Sequence, residues 1–109
     1  MNDIQEITQV LKDFRDERDW AQFHNPKDLA LAINIEAGEL LEEFLWKSHD
    51  KANRESVKEE LADVIVYSLL LADKYDLDVK KIVLDKIEKN SKKYPVEKSH
   101  GKATKYDKL

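Results

Sequence analysis

Residues 61–72 are apolar nearly all round a predicted helix, yet they include an aspartate, Asp63. A helix on the surface of a globular domain has an apolar stripe on one side only, so this helix should be buried on most sides. The chain has 109 residues, and four helices in a small monomer can hardly enclose it. We therefore expect a homo-oligomer, a homodimer or a homotetramer, whose subunits pool their helices into a larger bundle.

Apolar residues recur at helical spacing along most of the chain and predict an all-α fold of four helices. Only two Gly and two Pro, with 39% charged residues, agree with helices rather than a turn-rich β fold. Asp3, with Glu6 three residues on, predicts an N-cap and capping box for a helix that ends near Arg18. Asn25 before Pro26 predicts the second N-cap, and Asp78 the last. The later helices are predicted at residues 26–47, 54–75 and 79–93.

No apolar run approaches the roughly 20 residues that a membrane span needs, and the polar residues 1–7 do not resemble a signal peptide. We therefore expect a soluble, cytoplasmic protein without a membrane partner. The absence of Cys excludes disulfides and thiolate metal sites, which leaves oxygen ligands and three His.

Charge is distributed unevenly around a net value of −4. Residues 28–63 contain ten acidic and four basic side chains, whereas residues 86–109 contain eight Lys and three acids. A dedicated nucleic-acid binder would be basic overall, so no nucleic-acid polymer is expected as a partner. Residues 96–109 are Lys-rich without sustained periodicity, and we expect a flexible basic tail after a domain at residues 1–95.

Two acidic pairs share the same spacing of three residues, Glu36 with Glu39 and Glu60 with Asp63. Each pair would lie on one helix face. If the faces meet, four carboxylates converge, and they would repel one another unless a cation neutralises them. Such pairs also arise by chance in an acidic chain, but the apolar neighbours of Glu36 and Asp63 favour a metal site. Hard oxygen ligands indicate Mg²⁺, with Mn²⁺ as a substitute.

Trp20, Phe23 and His24 lie in the connection between the first two predicted helices. Rings in a short connection more often cover the core than contact a ligand. A cluster of this kind is also suited to stacking on a nucleobase, so both interpretations remain open from the residues alone.

These stretches resemble a known family. The two acidic pairs, separated by twenty residues, are similar to the metal signature of the all-α nucleoside triphosphate pyrophosphohydrolases, the MazG-like superfamily. Within this superfamily, five segments of the chain are similar to the dCTP pyrophosphatase branch. They are Arg18-Asp-Trp20-x-Gln-Phe23-His24-x-Pro26, Gly38-Glu39-Leu40, Phe44-x-Trp46-Lys47, Glu60-Leu-x-Asp63-Val-x-x-Tyr67 and Asn90-x-x-Lys93-Tyr94-Pro95. One departure is Leu11, where that branch can place a His in the first helix.

The resemblance implies a role for each matching residue. Mg²⁺ would be held by Glu36, Glu39, Glu60 and Asp63. The base and sugar pocket would be lined by Trp20, Phe23, His24 and Trp46. Tyr67 would touch the substrate, and the phosphates would be approached by Asn90, Lys93 and Tyr94.

Metal-assisted hydrolysis fits both arguments, and the resemblance implies a (deoxy)nucleoside triphosphate as the substrate, with dCTP or a related deoxynucleotide expected first. Metal-bound water would attack the α-phosphorus and release the monophosphate and pyrophosphate. Glu39 is the first choice for the carboxylate that orients this water or accepts its proton, with Glu43 or Glu36 as alternates. Two alternatives are a non-catalytic helical interaction module and the same fold acting on phosphoribosyl or damaged nucleotides.

Overall fold

The first helix begins one residue earlier than the sequence predicts, because Asn2 rather than Asp3 is its N-cap. The Asn2 side chain accepts a hydrogen bond from the Gln5 N–H at 2.9 Å, and the Gln5 side chain accepts one from the Asn2 N–H at 3.0 Å. These reciprocal bonds satisfy two backbone donors that the first turn of a helix leaves free. The capping box is therefore Asn2 with Gln5, and the predicted Asp3–Glu6 box is wrong.

The computed structural model describes residues 1–109, and every regular element in it is helical, which confirms the predicted all-α class. No helix is both long and apolar enough to cross a membrane. Short 3-10 turns occur at Ala21–Phe23, His49–Lys51 and Tyr106–Lys108. The α-helices are α1 (Asp3–Glu17), α2 (Pro26–Glu42), α3 (Arg54–Lys74), α4 (Val79–Lys93) and α5 (Val96–Ser99).

The predicted starts of α2 and α4 are confirmed by their caps. The Asn25 side chain accepts a hydrogen bond from the Asp28 N–H at 2.9 Å, and Pro26 follows it at the first helical position. The Asp78 side chain accepts one from the Lys81 N–H at 3.0 Å. In both caps a short polar side chain accepts a hydrogen bond from an N–H group of the first turn, which has no acceptor within the helix. This is the property on which the prediction was based.

α2 ends at Glu42, five residues before the predicted Lys47. After that point the N–H groups of Glu43, Phe44 and Leu45 bond to carbonyls three residues earlier rather than four. The tighter turn then gives way to Trp46, whose φ of 61° lies in the left-handed region. A left-handed residue cannot continue an α-helix, so the segment after α2 is a turn that carries an exposed tryptophan.

Residues Met1–Leu77 form one compact unit that contains α1, α2 and α3. α2 packs along α3, and α1 makes a smaller contact with α3. The buried apolar side chains of this unit are Leu29, Leu69, Leu70 and Ala72. The single chain does not bury α3 on most sides, since Leu61 is 46% and Ile65 is 49% exposed, and the predicted enclosure of α3 by further subunits stays a prediction.

Residues Asp78–Leu109 form a second compact unit, with α4, α5 and the last 3-10 turn. α5 is a helix beyond the four that the sequence predicts. The ring of Tyr106 makes an edge contact with Tyr94, with ring centroids 6.1 Å apart. This division falls after Leu77, whereas the sequence places a boundary at residue 95, and the flexibility of residues 96–109 stays a prediction.

Candidate active site

Three carboxylates from two helices converge in the first unit. Glu36 comes from α2, and Glu60 and Asp63 come from successive turns of α3. One oxygen of each lies within 4.8 Å of an oxygen of the other two. The i, i+3 spacing puts Glu60 and Asp63 on the same face of α3, and the packing of α2 along α3 brings Glu36 to that face. The predicted meeting of the two acidic faces is therefore present in the structure.

The fourth predicted ligand, Glu39, lies beside this group. Burial raises the pKa of Glu36 to about 7, and a hydrogen bond with Glu39 and the charges of Glu39, Asp63 and Glu60 add to the effect. Burial, followed by Glu39 and then Asp63 and Glu43, also raises the pKa of Glu60. Because the raised pKa values of Glu36 and Glu60 disfavour their ionised forms, a positive charge bound beside them would stabilise those forms.

Two oxygen atoms of the group have no hydrogen-bond partner in the protein. Oε2 of Glu36 and Oε2 of Glu60 are both buried and unpaired. A polar atom that is shielded from water without a hydrogen-bond partner is unfavourable, so both oxygens are available to a ligand. These carboxylate oxygens come from two helices, and no hydrogen-bond donor of the protein satisfies their lone pairs. Such oxygen ligands suit a hard divalent cation such as Mg²⁺.

A cavity of about 270 Å³ lies between α1, α3 and the connection that follows α1. Its rings come from Phe14, Trp20 and Tyr67, and its polar side chains are those of Arg15, His24 and Asp63. The predicted site residues Trp20, His24, Asp63 and Tyr67 thus share this cavity. Asp63 belongs both to the cavity wall and to the carboxylate group, so the two features form one continuous site.

The chain reversal after α1 holds Trp20 in the cavity wall. Asp19 has a left-handed φ of 54°, and the Trp20 N–H then donates to the Arg15 carbonyl at 3.0 Å. The Trp20 ring meets the edge of Phe14 at a centroid distance of 5.8 Å. On the same ring of Phe14 the Arg18 guanidinium lies 3.7 Å from the centroid. These contacts hold the indole against the end of α1.

Two of the polar side chains in the cavity are shifted by their surroundings. Burial lowers the pKa of His24, and the charges of Arg15 and Lys74 lower it further. Burial raises the pKa of Tyr67, and the acidic charges nearby add to this. At neutral pH the cavity therefore presents a neutral imidazole and a neutral phenol to a ligand.

Two predicted pocket residues do not line this cavity. Phe23 is 63% exposed and Trp46 is 94% exposed. Trp46 follows the early end of α2, and its left-handed backbone directs it away from the helix that was expected to carry it. Their roles in substrate binding stay predictions.

The three residues predicted to approach the phosphates lie in the second unit. Asn90 is in the last turn of α4, where its carbonyl accepts the Tyr94 N–H at 2.8 Å. The Lys93 ammonium lies 4.8 Å from the centroid of the Tyr106 ring. Asn90, Lys93 and Tyr94 are therefore close together at the end of one helix, and their approach to a phosphate stays a prediction.

Sequence reasoning missed Arg15 and Phe14 as cavity residues. The available signal was helical spacing, because Arg15 follows Leu11 by four residues and Leu11 also lines the cavity. A charged side chain on the apolar face of α1 indicates a polar requirement inside the fold. The remaining wall is formed by Val66 and Leu70 of α3.

Comparison with known proteins agrees with this arrangement. The MazG-like family model matches residues 31–109. Relatives from Rattus norvegicus and Homo sapiens, both named dCTP pyrophosphatase 1, are 39% and 35% identical, and each match covers 97% of this chain and 67% of the relative. The solved structure of a pyrophosphatase from Archaeoglobus fulgidus has a TM-score of 0.81 and 40% identity, over 87% of this chain and 94% of that one.

The helical fold, the carboxylate group and these matches define a hydrolase that acts on acid anhydrides. The chain belongs to the MazG-like family and is a nucleotide pyrophosphohydrolase. The family resemblance is therefore confirmed, and the alternative of a non-catalytic interaction module is set aside.

Proposed function

We propose that this protein is a Mg²⁺-dependent hydrolase that converts a (deoxy)nucleoside triphosphate to its monophosphate and pyrophosphate. The observation that carries the proposal is the position of Asp63, which joins the carboxylate group to an aromatic cavity. A nucleotide needs both features, since its base requires a ring-lined pocket and its phosphates require charge neutralisation. The relatives named dCTP pyrophosphatase 1 make dCTP or a related deoxynucleotide the first substrate to test.

Glu36, Glu39, Glu60 and Asp63 would hold the cation, for which Mn²⁺ is a substitute. The unpaired oxygens of Glu36 and Glu60 support this assignment. When bound, Mg²⁺ supplies positive charge to phosphate oxygens and lowers the pKa of water. The protein's own contribution is to fix carboxylates from two helices at one place, so that little reorganisation is needed when substrate binds.

The remaining chemistry belongs to residues of this chain. The rings of Trp20, Phe14 and Tyr67 would take the base, with His24 beside them as a neutral hydrogen-bonding group. Glu39 would orient the attacking water and accept its proton as the oxygen attacks the α-phosphorus. The bond to the bridging oxygen then breaks, and pyrophosphate leaves.

We also propose that the active protein is a homodimer or a homotetramer. The single chain leaves apolar side chains exposed on α2, on the turn that follows it and on α3. These side chains are Leu31, Ile35, Leu41, Leu45, Trp46, Leu61 and Ile65. A second copy that covers them would enclose α3 as its composition requires, and would bring Trp46 toward a neighbouring site. Sedimentation equilibrium of the whole chain tests this, and a monomer at assay concentration would contradict it.

A substrate panel with product identification tests the function. The panel should contain dNTPs, NTPs and damaged nucleotides with Mg²⁺, scored for monophosphate and pyrophosphate. Phosphoribosyl nucleotides belong in the same panel, because the fold and the carboxylates do not distinguish them. Release of orthophosphate and a diphosphate would show attack at the γ-phosphorus and would contradict the mechanism.

Two substitutions locate the chemistry. Glu39→Gln and Asp63→Asn should each abolish pyrophosphate release while circular dichroism shows the helical content retained, because each keeps the shape and removes the charge. Glu42→Gln is the matched control, since Glu42 is an exposed residue at the end of the same helix. Full activity in both site variants would refute the assignment.

A further inference from the structure

Arg15 is the buried charged residue of the fold, with 8% of its surface exposed. It lies on α1 and lines the same cavity as Trp20 and Tyr67. Burying a guanidinium is costly unless its charge and its donors are used. Its position in the wall of a ligand-sized cavity therefore calls for an explanation beyond the packing of α1.

The partners of Arg15 in the protein use only part of its capacity. Its Nε–H donates to Asp16 Oδ1 at 2.8 Å, and this is its hydrogen bond of good length. One terminal nitrogen, NH1, lies 3.7 Å from Asp73 Oδ2, an ion pair longer than a hydrogen bond. A guanidinium has five N–H donors in a fixed plane and no acceptor. Most of these donors are therefore available to a ligand in the cavity.

The chemistry of the cavity restricts what this ligand group can be. The wall is largely aromatic and aliphatic, and in such a pocket a few polar groups determine the orientation of the ligand. A guanidinium can only donate, so it favours a carbonyl oxygen, alone or beside a ring nitrogen. Cytosine, uracil, thymine and guanine carry such an oxygen. Adenine has only ring nitrogens as acceptors and carries an amine where guanine carries its carbonyl, so a planar guanidinium placed to pair with a carbonyl oxygen would meet a donor there.

We propose that Arg15 is a specificity-determining residue that selects carbonyl-bearing nucleobases over adenine. The inference rests on the proposed function, because it assumes that the cavity takes the base. A site built to hydrogen-bond a ligand group rejects an analogue that lacks it, since the donors of the site are then left buried and unpaired. A good guanidinium–base contact corresponds to roughly 10-fold to 100-fold discrimination.

The measured quantity is the ratio of kcat/KM for dCTP, dUTP and dGTP to kcat/KM for dATP. Wild-type protein should show a ratio well above one for each of the three. Arg15→Met, which keeps most of the side-chain volume and removes the donors, should lower each ratio by about 10-fold to 100-fold. Arg15→Lys, which keeps the charge and loses the planar fork, should lie between the two.

Asp73→Asn is the matched control. Asp73 pairs with Arg15 and with Lys12 but does not line the cavity. If Arg15 only ties α1 to α3, Asp73→Asn and Arg15→Met should lower all four activities together and leave the ratios unchanged, which would overturn the proposal. A fall in the kcat/KM ratios in the Arg15 variants, with the ratios unchanged in Asp73→Asn, would support the proposal.

The outcomes also separate this proposal from the function on which it rests. A wild-type protein that releases pyrophosphate from dATP as fast as from the carbonyl-bearing nucleotides refutes the role of Arg15 and leaves the function standing. A wild-type protein that releases pyrophosphate from no nucleotide refutes the proposed function itself. If Arg15→Met does not fold, the wild-type ratios and Arg15→Lys still decide the question.

Discussion

Metal-free protein should become less stable as the pH rises, because Glu36 holds a proton in the native state that the unfolded chain releases. Burial and the neighbouring carboxylates raise the pKa of Glu36 from an ordinary value of 4.5 to about 7. Between these two values the native state binds more protons than the unfolded state, so the free energy of unfolding falls with rising pH. Above the native pKa the loss is complete.

The size of this loss follows from the same two values. A tenfold change in proton affinity is worth about 1.4 kcal/mol, which gives an upper limit of roughly 3.5 kcal/mol for Glu36. The carboxylate is only partly buried, and solvent screens its neighbours, so we expect about 1 to 2 kcal/mol. For a domain of this size that is a drop in Tm of roughly 5 to 10 °C.

Thermal unfolding in EDTA at fixed protein concentration, from about pH 5 to pH 8, measures the effect. Glu36→Gln should flatten the decline and raise Tm above that of wild-type protein at the alkaline end, because a neutral amide replaces the crowded charge. Mg²⁺ should restore the stability of wild-type protein at alkaline pH and have little effect on the variant. The control Glu42→Gln should follow wild-type protein.

A Tm difference between wild-type protein and Glu36→Gln that stays constant between pH 5 and pH 7 would refute this reasoning, because the opposite pH dependence expected of His24 is common to both proteins. So would a decline that Glu36→Gln shares in full, since the crowded carboxylates would then not be its cause.

Two further predictions concern the first unit. Leu29→Ala should lower the free energy of unfolding by about 2 to 5 kcal/mol in chemical denaturation, because Leu29 is the most deeply buried side chain and its truncation leaves a void in the core. A loss below about 1 kcal/mol would contradict the burial of Leu29. His24→Gln should reduce the loss of stability below about pH 6.5, because burial and two nearby cations lower the pKa of His24, so that the unfolded chain takes up a proton that the native state resists. The exposed His49→Gln is its control, and an equal effect of both substitutions would contradict the assignment.

The predictions that succeeded depend on local chemistry. Asn25 and Asp78 cap α2 and α4 as their positions before Pro26 and Val79 indicate, because a cap is decided within four residues. The first cap shows the limit of that argument, since Asn2 and Asp3 are both good caps and the reciprocal bond to Gln5 decides between them.

The end of α2 was wrong for a different reason. Phe44 follows Leu40 by four residues and continues the apolar helical pattern, so the sequence alone gives no reason to stop at Glu42. The helix ends because of its turn geometry. Three successive N–H groups bond to the carbonyl three residues earlier, and Trp46 then adopts a left-handed backbone conformation. Periodicity describes which residues could share a helix face, and it does not describe where the backbone leaves the helix.

The positions of Asp63 and Tyr67 explain why the carboxylate group and the aromatic cavity lie next to each other. They are separated by four residues on α3, one helical turn or about 6 Å along the axis. Asp63 therefore reaches the carboxylates of α2 while Tyr67 faces the cavity toward α1. This spacing was readable from the sequence, whereas Arg15 on the opposite wall depends on how α1 rotates against α3. If Arg15 selects the base as proposed, substitutions at this position of α1 should change the preferred base without moving a carboxylate of α2 or α3.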